Sequence, residues 1–114
     1  MSPRGWMERI QDILDAIVEI QSFVGSARFE EFQGDLKTMR AVELDLIIIG
    51  EAANTIPEEE QEEHPEIAWH LMRGMRNRLV HTYFSVSPKI LWDTIHQDLP
   101  PLAETLVKLL SERK

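Results

Sequence analysis

The chain has 114 residues, 43% of them hydrophobic and 28% charged, which is ordinary for one soluble globular domain and too apolar for a disordered chain. It contains no cysteine, which excludes disulfides, thiolate metal sites and a cysteine nucleophile and agrees with a cytoplasmic location. The net charge of −8 argues at first against nucleic acid, and no apolar run is long enough to cross a membrane. We therefore expect a single domain over residues 1–114.

The first half of the chain predicts two long helices. Apolar side chains recur with helical spacing over residues 6–24, with acidic side chains on the opposite side, and Gly25 is a typical helix end. A second helix is predicted from about Asp35 to Thr55, and its centre is apolar on several sides, which favours a central place in a bundle. Gly50 inside this helix costs about 1 kcal/mol relative to Ala. We therefore expect another helix to approach closely at Gly50.

The acidic run and the helix after it come next. Residues 58–63 include five glutamates, and we expect a solvated loop there. Pro65 is typical of a helix start, so a third helix is predicted from that point. Its expected core stripe consists of Ala68, Leu71, Met72, Met75 and Leu79.

The last part of the chain predicts one or two further helices. Ser87–Pro88 is a typical cap and first residue for a fourth helix. Pro100–Pro101 cannot lie deep in a helix, so we expect either a kink or a new start near Asp98, followed by a helix from about Pro101 to Ser111. Since no segment alternates with the period of a strand, the fold class is predicted to be all-α, an up-and-down bundle of four to five helices.

The charge is unevenly distributed along the chain. Residues 67–92 contain no Asp or Glu, whereas acidic residues outnumber basic ones on both sides of this stretch. A basic island in an acidic protein indicates a local anion site rather than a general polyanion-binding surface. The basic residues of the island are Arg73, Arg76, Arg78 and Lys89.

The island contains side chains suited to a phosphodiester. The planar fork of Arg76 can bind phosphate oxygens and keeps its charge at any working pH. His81 titrates near neutrality, so it can deprotonate a 2′-hydroxyl or protonate a leaving oxygen. Together they could cleave RNA without a metal, with Arg76 stabilising the charge of the transition state. A basic cluster late in a helix can also be purely structural, because the helix dipole favours it there.

Helical geometry separates these two side chains. At 100° per residue, His81 lies about 140° around the helix from Arg76. Two arrangements could still bring them together. Either the helix ends before His81 and the backbone turns, or Arg76 and His81 meet across the axis of a dimer.

The neighbouring residues have supporting roles in this interpretation. Asn77 is expected to position His81 or the phosphate, and Arg73 and Arg78 are expected to be auxiliary RNA contacts or salt-bridge partners. Glu51 needs a partner if it is buried, and an arginine of the third helix is the expected one. No metal site is predicted, because the spacing of the histidines matches no common ligand motif. The other histidines are interpreted as cap, surface or interface groups: His64, His70 and His96.

The segment Arg76–Tyr83 reads R-N-R-L-V-H-T-Y and resembles the R-x4-H-x-Y motif of HepT-like proteins, the toxin branch of the HEPN superfamily. Further segments are similar to the family's successive landmarks and extend the resemblance over nearly the whole chain. They are Leu46–Ala53, His64–Trp69, Gly74–His81, Trp92 and Leu99–Pro100.

The resemblance implies a dimeric helical bundle in which the motifs of both protomers line a shared cleft. It implies a metal-independent ribonuclease toxin that needs no cofactor and cleaves messenger or transfer RNA. It also implies a partner, a minimal nucleotidyltransferase antitoxin, that attaches AMP to the motif tyrosine, here Tyr83. If the helix continued that far, Tyr83 would lie beside Arg76, and the AMP phosphate would occupy the anion site that RNA needs.

Two other functions remain open at this stage. One is a non-catalytic helical adaptor or nucleotide-binding module for a nucleotidyltransferase, which the overall acidity favours. The intact set of Arg76, Asn77 and His81 favours the enzyme, because an adaptor does not need these three side chains. The other is a structural bundle in which the motif is incidental.

Overall fold

The computed structural model describes residues 5–112, and these residues are helical apart from short turns, with no strand among them. This confirms the predicted all-α fold. A 3₁₀ turn, Tyr83–Ser85, follows α5, and a π-helical segment, Thr94–Asp98, joins α6 to α7. The α-helices are α1 (Trp6–Val24), α2 (Phe29–Gln33), α3 (Leu36–Thr55), α4 (Glu58–Glu63), α5 (Trp69–His81), α6 (Pro88–Asp93) and α7 (Leu99–Glu112).

The first two long helices agree with their predicted bounds. Helix α1 ends at Gly25, whose φ of 55° is a conformation that favours glycine. The side chain of Asp35 caps α3 by accepting a hydrogen bond from the Thr38 N–H at 3.1 Å. Helix α3 packs against α1 on one side and α5 on another, so its predicted central place is confirmed. Three of its apolar side chains, Leu36, Leu44 and Ile48, are nevertheless exposed.

Helices α3 and α5 pack tightly against each other at Gly50. A Cβ atom placed on Gly50 would lie 2.2 Å from the Cβ of Arg76 and 2.8 Å from the carbonyl oxygen of Met72. Neither contact is possible for a real side chain, and the second involves backbone. The expected close approach of a helix is therefore confirmed, and the helix that approaches is the one that carries the basic island.

The acidic run forms a helix and not the expected loop. Glutamate is a good helix former, and three glutamates in the first turn of α4 interact favourably with the helix dipole. Gln61 then fastens α4 to the end of α3, because its side-chain NH₂ donates to the carbonyls of Ala53 (3.2 Å) and Ile56 (3.1 Å).

The third long helix begins later than predicted. Pro65 lies in a turn, and α5 starts at Trp69, whose indole N–H donates to the carbonyls of Gln61 (3.1 Å) and His64 (3.0 Å). Ala68 is consequently an exposed cap residue and not a core residue, and Leu71 is only half-buried. The other predicted members of the stripe are buried together with Trp69: Met72, Met75 and Leu79.

The C-terminal part is one continuous helical path. The Ser87 hydroxyl accepts a hydrogen bond from the Ile90 N–H at 3.2 Å and Pro88 is the first helical residue, which confirms the predicted start. The π-helical segment precedes Pro100–Pro101 and is one of the irregularities that accompany helix kinks. Helix α7 therefore begins at Leu99 without a break, and not at Pro101. Within residues 5–112, no helix has the length and apolar composition needed to span a membrane.

Candidate functional site

The basic island lies mainly on α5, and this helix runs without interruption through His81. The first of the two proposed arrangements, a helix that ends before His81, is therefore wrong. Arg76 and His81 remain about 140° apart around the helix axis. No hydrogen bond or ion pair joins them in residues 5–112, and the imidazole of His81 is exposed. A single described chain does not bring the two side chains together.

Arg76 is held in place from three sides. Its Cβ and Cγ lie against Gly50, as described above. Its Nε donates a hydrogen bond to Oε1 of Glu51, and its Nη1 donates to Oδ1 of Asn77 at 3.1 Å. The expectation that Glu51 pairs with an arginine of this helix is confirmed, although the Glu51 carboxylate is exposed and not buried. Among the described residues, no hydrogen bond involves the remaining guanidinium nitrogen, Nη2.

Asn77 acts on Arg76 and not on His81. The side-chain oxygen of Asn77 accepts from Arg76, and within the described residues no hydrogen bond connects Asn77 to His81. The expectation that Asn77 positions His81 is therefore not met within one described chain. A role toward phosphate stays a prediction, because the Asn77 NH₂ group is exposed.

The other two arginines of α5 bind neighbouring elements of the fold. Arg73 donates to Oε1 of Gln61 and lies 3.2 Å from Nδ1 of His70. Arg78 donates through Nη2 to the carbonyl oxygen of Ser85 at 3.0 Å, which ties the 3₁₀ turn back to α5. Neither arginine forms a salt bridge among the described residues. Their expected role as auxiliary RNA contacts stays a prediction.

Tyr83 lies outside α5, so the helical geometry that would place it beside Arg76 does not apply. Helix α5 ends at His81, and Tyr83 opens the 3₁₀ turn. The ring of Tyr83 lies instead below the guanidinium of Arg40 on α3, 5.0 Å from ring centroid to Cζ, and is 39% exposed. Arg40 also donates to both carboxylate oxygens of Glu43, at 3.0 and 3.2 Å. The spacing of Arg40 and Glu43 on one helix predicts their ion pair, but nothing in the sequence predicts the contact with Tyr83.

A possible metal-binding group lies away from these side chains. Among the described residues, Glu60, Glu63 and His64 offer three ligand atoms within 4.8 Å of one another. They precede the N-terminal end of α5, whereas His81 is its last residue. This group is therefore no part of the site around Arg76 and His81.

Comparison with known proteins identifies the family. The family model described as "Ribonuclease HepT-like" matches residues 13–109. The chain belongs to the HepT-like ribonuclease family. It is 42% identical over 106 residues to a protein of Thermococcus cleftensis named "Probable ribonuclease HepT", covering 93% of this chain and 96% of that one. No solved structure matches this chain.

Two further relatives are provisionally named as RNases. One, from Caldanaerobacter subterraneus, is 34% identical over 113 residues and covers 99% of this chain and 98% of its own length. Another, from Methanocaldococcus jannaschii, is 35% identical over 91 residues and covers 80% of this chain and 75% of its own length. The match to the HepT-like family thus includes α5 and the candidate site.

Proposed function

We propose that this protein is a metal-independent ribonuclease that acts as the toxin of a toxin–antitoxin pair in the cytoplasm, with messenger or transfer RNA as its substrate. One observation carries the proposal. In a chain of the HepT-like family, the guanidinium of Arg76 is fixed by Glu51 and Asn77, while the imidazole of His81 is exposed on the same helix. A guanidinium held in place can stabilise the negative charge of the transition state. An exposed imidazole can transfer protons to or from the RNA oxygens. Cleavage of a phosphodiester uses both.

The proposed chemistry is an internal transesterification of RNA. The 2′-oxygen attacks the adjacent phosphorus, the bond from phosphorus to the 5′-oxygen breaks, and the products carry a 2′,3′-cyclic phosphate and a 5′-hydroxyl. His81 takes the proton of the 2′-hydroxyl or gives one to the departing 5′-oxygen. Arg76 stabilises the negative charge that grows on the phosphate oxygens. The carboxylate of Glu51 positions Arg76 and does not touch the reacting atoms.

The proposed active site is composite, made of Arg76 from one chain and His81 from a second copy. The unbroken α5 supports this arrangement, because a single chain does not bring the two side chains together. Apolar side chains that a second copy could cover are exposed on α3 and α5: Leu44 at 59%, and Val80, one turn after Arg76, at 45%. A homodimer with two-fold symmetry would pair the same faces of both chains.

The proposed regulation is AMP addition to Tyr83 by a minimal nucleotidyltransferase antitoxin. The exposed part of Tyr83 and its position two residues after His81 support this. Because the guanidinium of Arg40 lies over the Tyr83 ring, a phosphate on Tyr83 would be near this positive charge. The nucleotide would therefore block RNA mainly by occupying space next to His81, and its charge would be matched by Arg40.

Tyr83→Phe tests this regulation. The variant should keep most of the ribonuclease activity, because the hydroxyl has no chemical step, and should escape inactivation by the partner. The measurement is incubation with the partner, ATP and magnesium, followed by intact mass, peptide mapping and an RNA cleavage assay. AMP on a residue other than Tyr83, or a Tyr83→Phe protein that the partner still modifies and inactivates, would contradict the assignment.

The ribonuclease activity itself is tested with purified protein, labelled RNA and EDTA. We expect cleavage to persist in EDTA, to leave 2′,3′-cyclic ends and to disappear in His81→Ala. The matched control is His70→Ala, on the same helix near its other end, which should remain active. Cleavage that stops on chelation and returns with a divalent ion would overturn the mechanism.

The adaptor remains a second candidate because the chain carries a net charge of −8, which is unfavourable for RNA. In that case the protein would bind the nucleotidyltransferase tightly but cleave no RNA. His81→Ala would then leave every measured property unchanged.

A further inference from the structure

Half of the ten residues that line a groove between α1 and α3 carry a carboxylate. Its volume is about 520 Å³, and it also includes the apolar side chain of Ile48. We call it the acidic groove. Its charged lining consists of five acidic side chains and one basic one: Asp12, Asp15, Glu19, Asp45, Glu51 and Arg9.

Asp45 is the unusual member of this lining. It is only 4% exposed, and its Oδ2 atom is fully buried without a hydrogen-bond donor among the described residues. Burial raises the pKa of Asp45 to about 7, and the neighbouring carboxyl of Glu19 contributes to the shift. Two adjacent carboxyl groups without a basic partner need a shared proton or a bound cation.

We propose that the acidic groove binds an organic polycation of the polyamine class, with one ammonium group against Asp45 and Glu19 and others along the groove. This inference does not depend on the proposed ribonuclease activity. It rests on the buried Oδ2 atom of Asp45, for which the described residues supply no N–H or O–H donor other than a proton shared with Glu19.

The shape of the groove favours an elongated ligand over a single metal ion. From Asp12 to Glu19 the carboxylates extend over about 10 Å of α1, and from Asp45 to Glu51 over about 9 Å of α3. In residues 5–112, no three acidic or histidine ligand atoms of this groove come within 4.8 Å of one another, so they do not form a cage for a bare ion. The volume lies within the range of roughly 300–1,000 Å³ that is typical of small-ligand sites.

Binding should release a proton and therefore strengthen as the pH rises. The charged groups that face Asp45 across the groove are those of α1, Arg9, Asp12, Asp15 and Glu19, together with Glu51 of α3 itself. Burial raises the pKa of Asp45, and an ammonium group next to it would favour its ionised form. The affinity should consequently be higher at pH 8 than at pH 6.

Spermidine titration by isothermal calorimetry at pH 8 tests the proposal. We expect wild type to bind, and Asp45→Asn and Glu19→Gln each to weaken binding about tenfold, or roughly 1.4 kcal/mol. Glu59→Gln, which removes one exposed charge from α4, is the control and should bind like wild type. Mg²⁺ at the same ionic strength should bind at least tenfold more weakly than spermidine.

The proposal fails if wild type does not bind spermidine or if Mg²⁺ binds equally well. It also fails if Glu19→Gln and Glu59→Gln lower the affinity equally, because that would indicate attraction to net charge alone. Glu19 is exposed, so Glu19→Gln keeps the test valid even if Asp45→Asn alters the fold. Because no RNA is used, none of these outcomes depends on ribonuclease activity.

Discussion

At the scale of single residues, the site depends on how the guanidinium of Arg76 is held. Glu51 binds Nε and Asn77 binds Nη1, so the plane of the group is set before any phosphate arrives. A lysine ammonium has no such plane and cannot reproduce two fixed hydrogen bonds while presenting a fork to phosphate. In the proposed mechanism, a positive charge alone is therefore not enough at this position.

Arg76→Lys tests the role of the fork. We expect kcat for RNA cleavage to fall on the order of 10²-fold with an unchanged far-UV spectrum, since a preorganised charge interaction is lost. The control is Arg28→Lys, an exposed arginine of the loop before α2, which should cleave like wild type. A fully active Arg76→Lys protein would show that Arg76 acts only as a diffuse positive charge.

A second prediction for a single residue concerns Asp45 and the pH dependence of the stability of the fold. Its pKa is about 7 in the folded protein against 3.8 ordinarily, so the folded state holds a proton that the unfolded state releases. This contribution to stability is present below about pH 4 and is lost as the pH rises to about 7. At pH 8 the folded protein must bury an ionised Asp45 beside Glu19.

Asp45→Asn should therefore raise Tm at pH 8 by about 5 °C or more, the effect of ~1 kcal/mol in a domain of this size. The amide can also donate to Glu19. Thermal unfolding from pH 5 to pH 8 without polyamine is the measurement, and the variant should show the smaller loss of Tm. A variant less stable than wild type at pH 8 would mean that Asp45 is not a source of electrostatic strain.

At the scale of helices, the contact of α3 with α5 positions Arg76, a residue of the proposed site. Gly50→Ala should disrupt this contact, because the new Cβ would meet Arg76 and the Met72 backbone. We expect a loss of about 1–3 kcal/mol in the free energy of unfolding and a large loss of cleavage. Denaturant unfolding and an RNA cleavage assay are the measurements.

Gly74→Ala is the matched control for that experiment. Gly74 lies in α5, and a Cβ placed there meets nothing within 4 Å. The substitution should stabilise the protein by about 0.5–1 kcal/mol, because glycine weakens a helix interior. If Gly50→Ala proves as harmless as Gly74→Ala, the close approach of the two helices does not position Arg76.

The sequence predicted a helix correctly where residues close together in the chain determine it. Helix α1, the start of α6 at Ser87–Pro88 and the packing at Gly50 all follow from spacing, capping or the absence of a side chain. The true start of α5 does not follow, because it depends on the hydrogen bonds of Trp69 to the preceding turn. The position of Tyr83 likewise depends on Arg40, a residue distant in sequence.

At the scale of the whole molecule, the separation of Arg76 from His81 is the central result. Sequence geometry alone left two arrangements open, and the unbroken α5 removes one of them. The proposed composite site makes the dimer part of the chemistry, because each active site would need a residue from both chains. Activity should then depend on which chains are paired.

Mixing two inactive variants tests this claim most directly. Arg76→Ala and His81→Ala are each expected to be inactive, and they should be unfolded together and refolded so that chains exchange. If the site is composite, each mixed dimer has one intact site, and about a quarter of wild-type cleavage should return under random pairing. If native mass spectrometry shows mixed dimers but cleavage does not return, Arg76 and His81 do not act across the dimer axis.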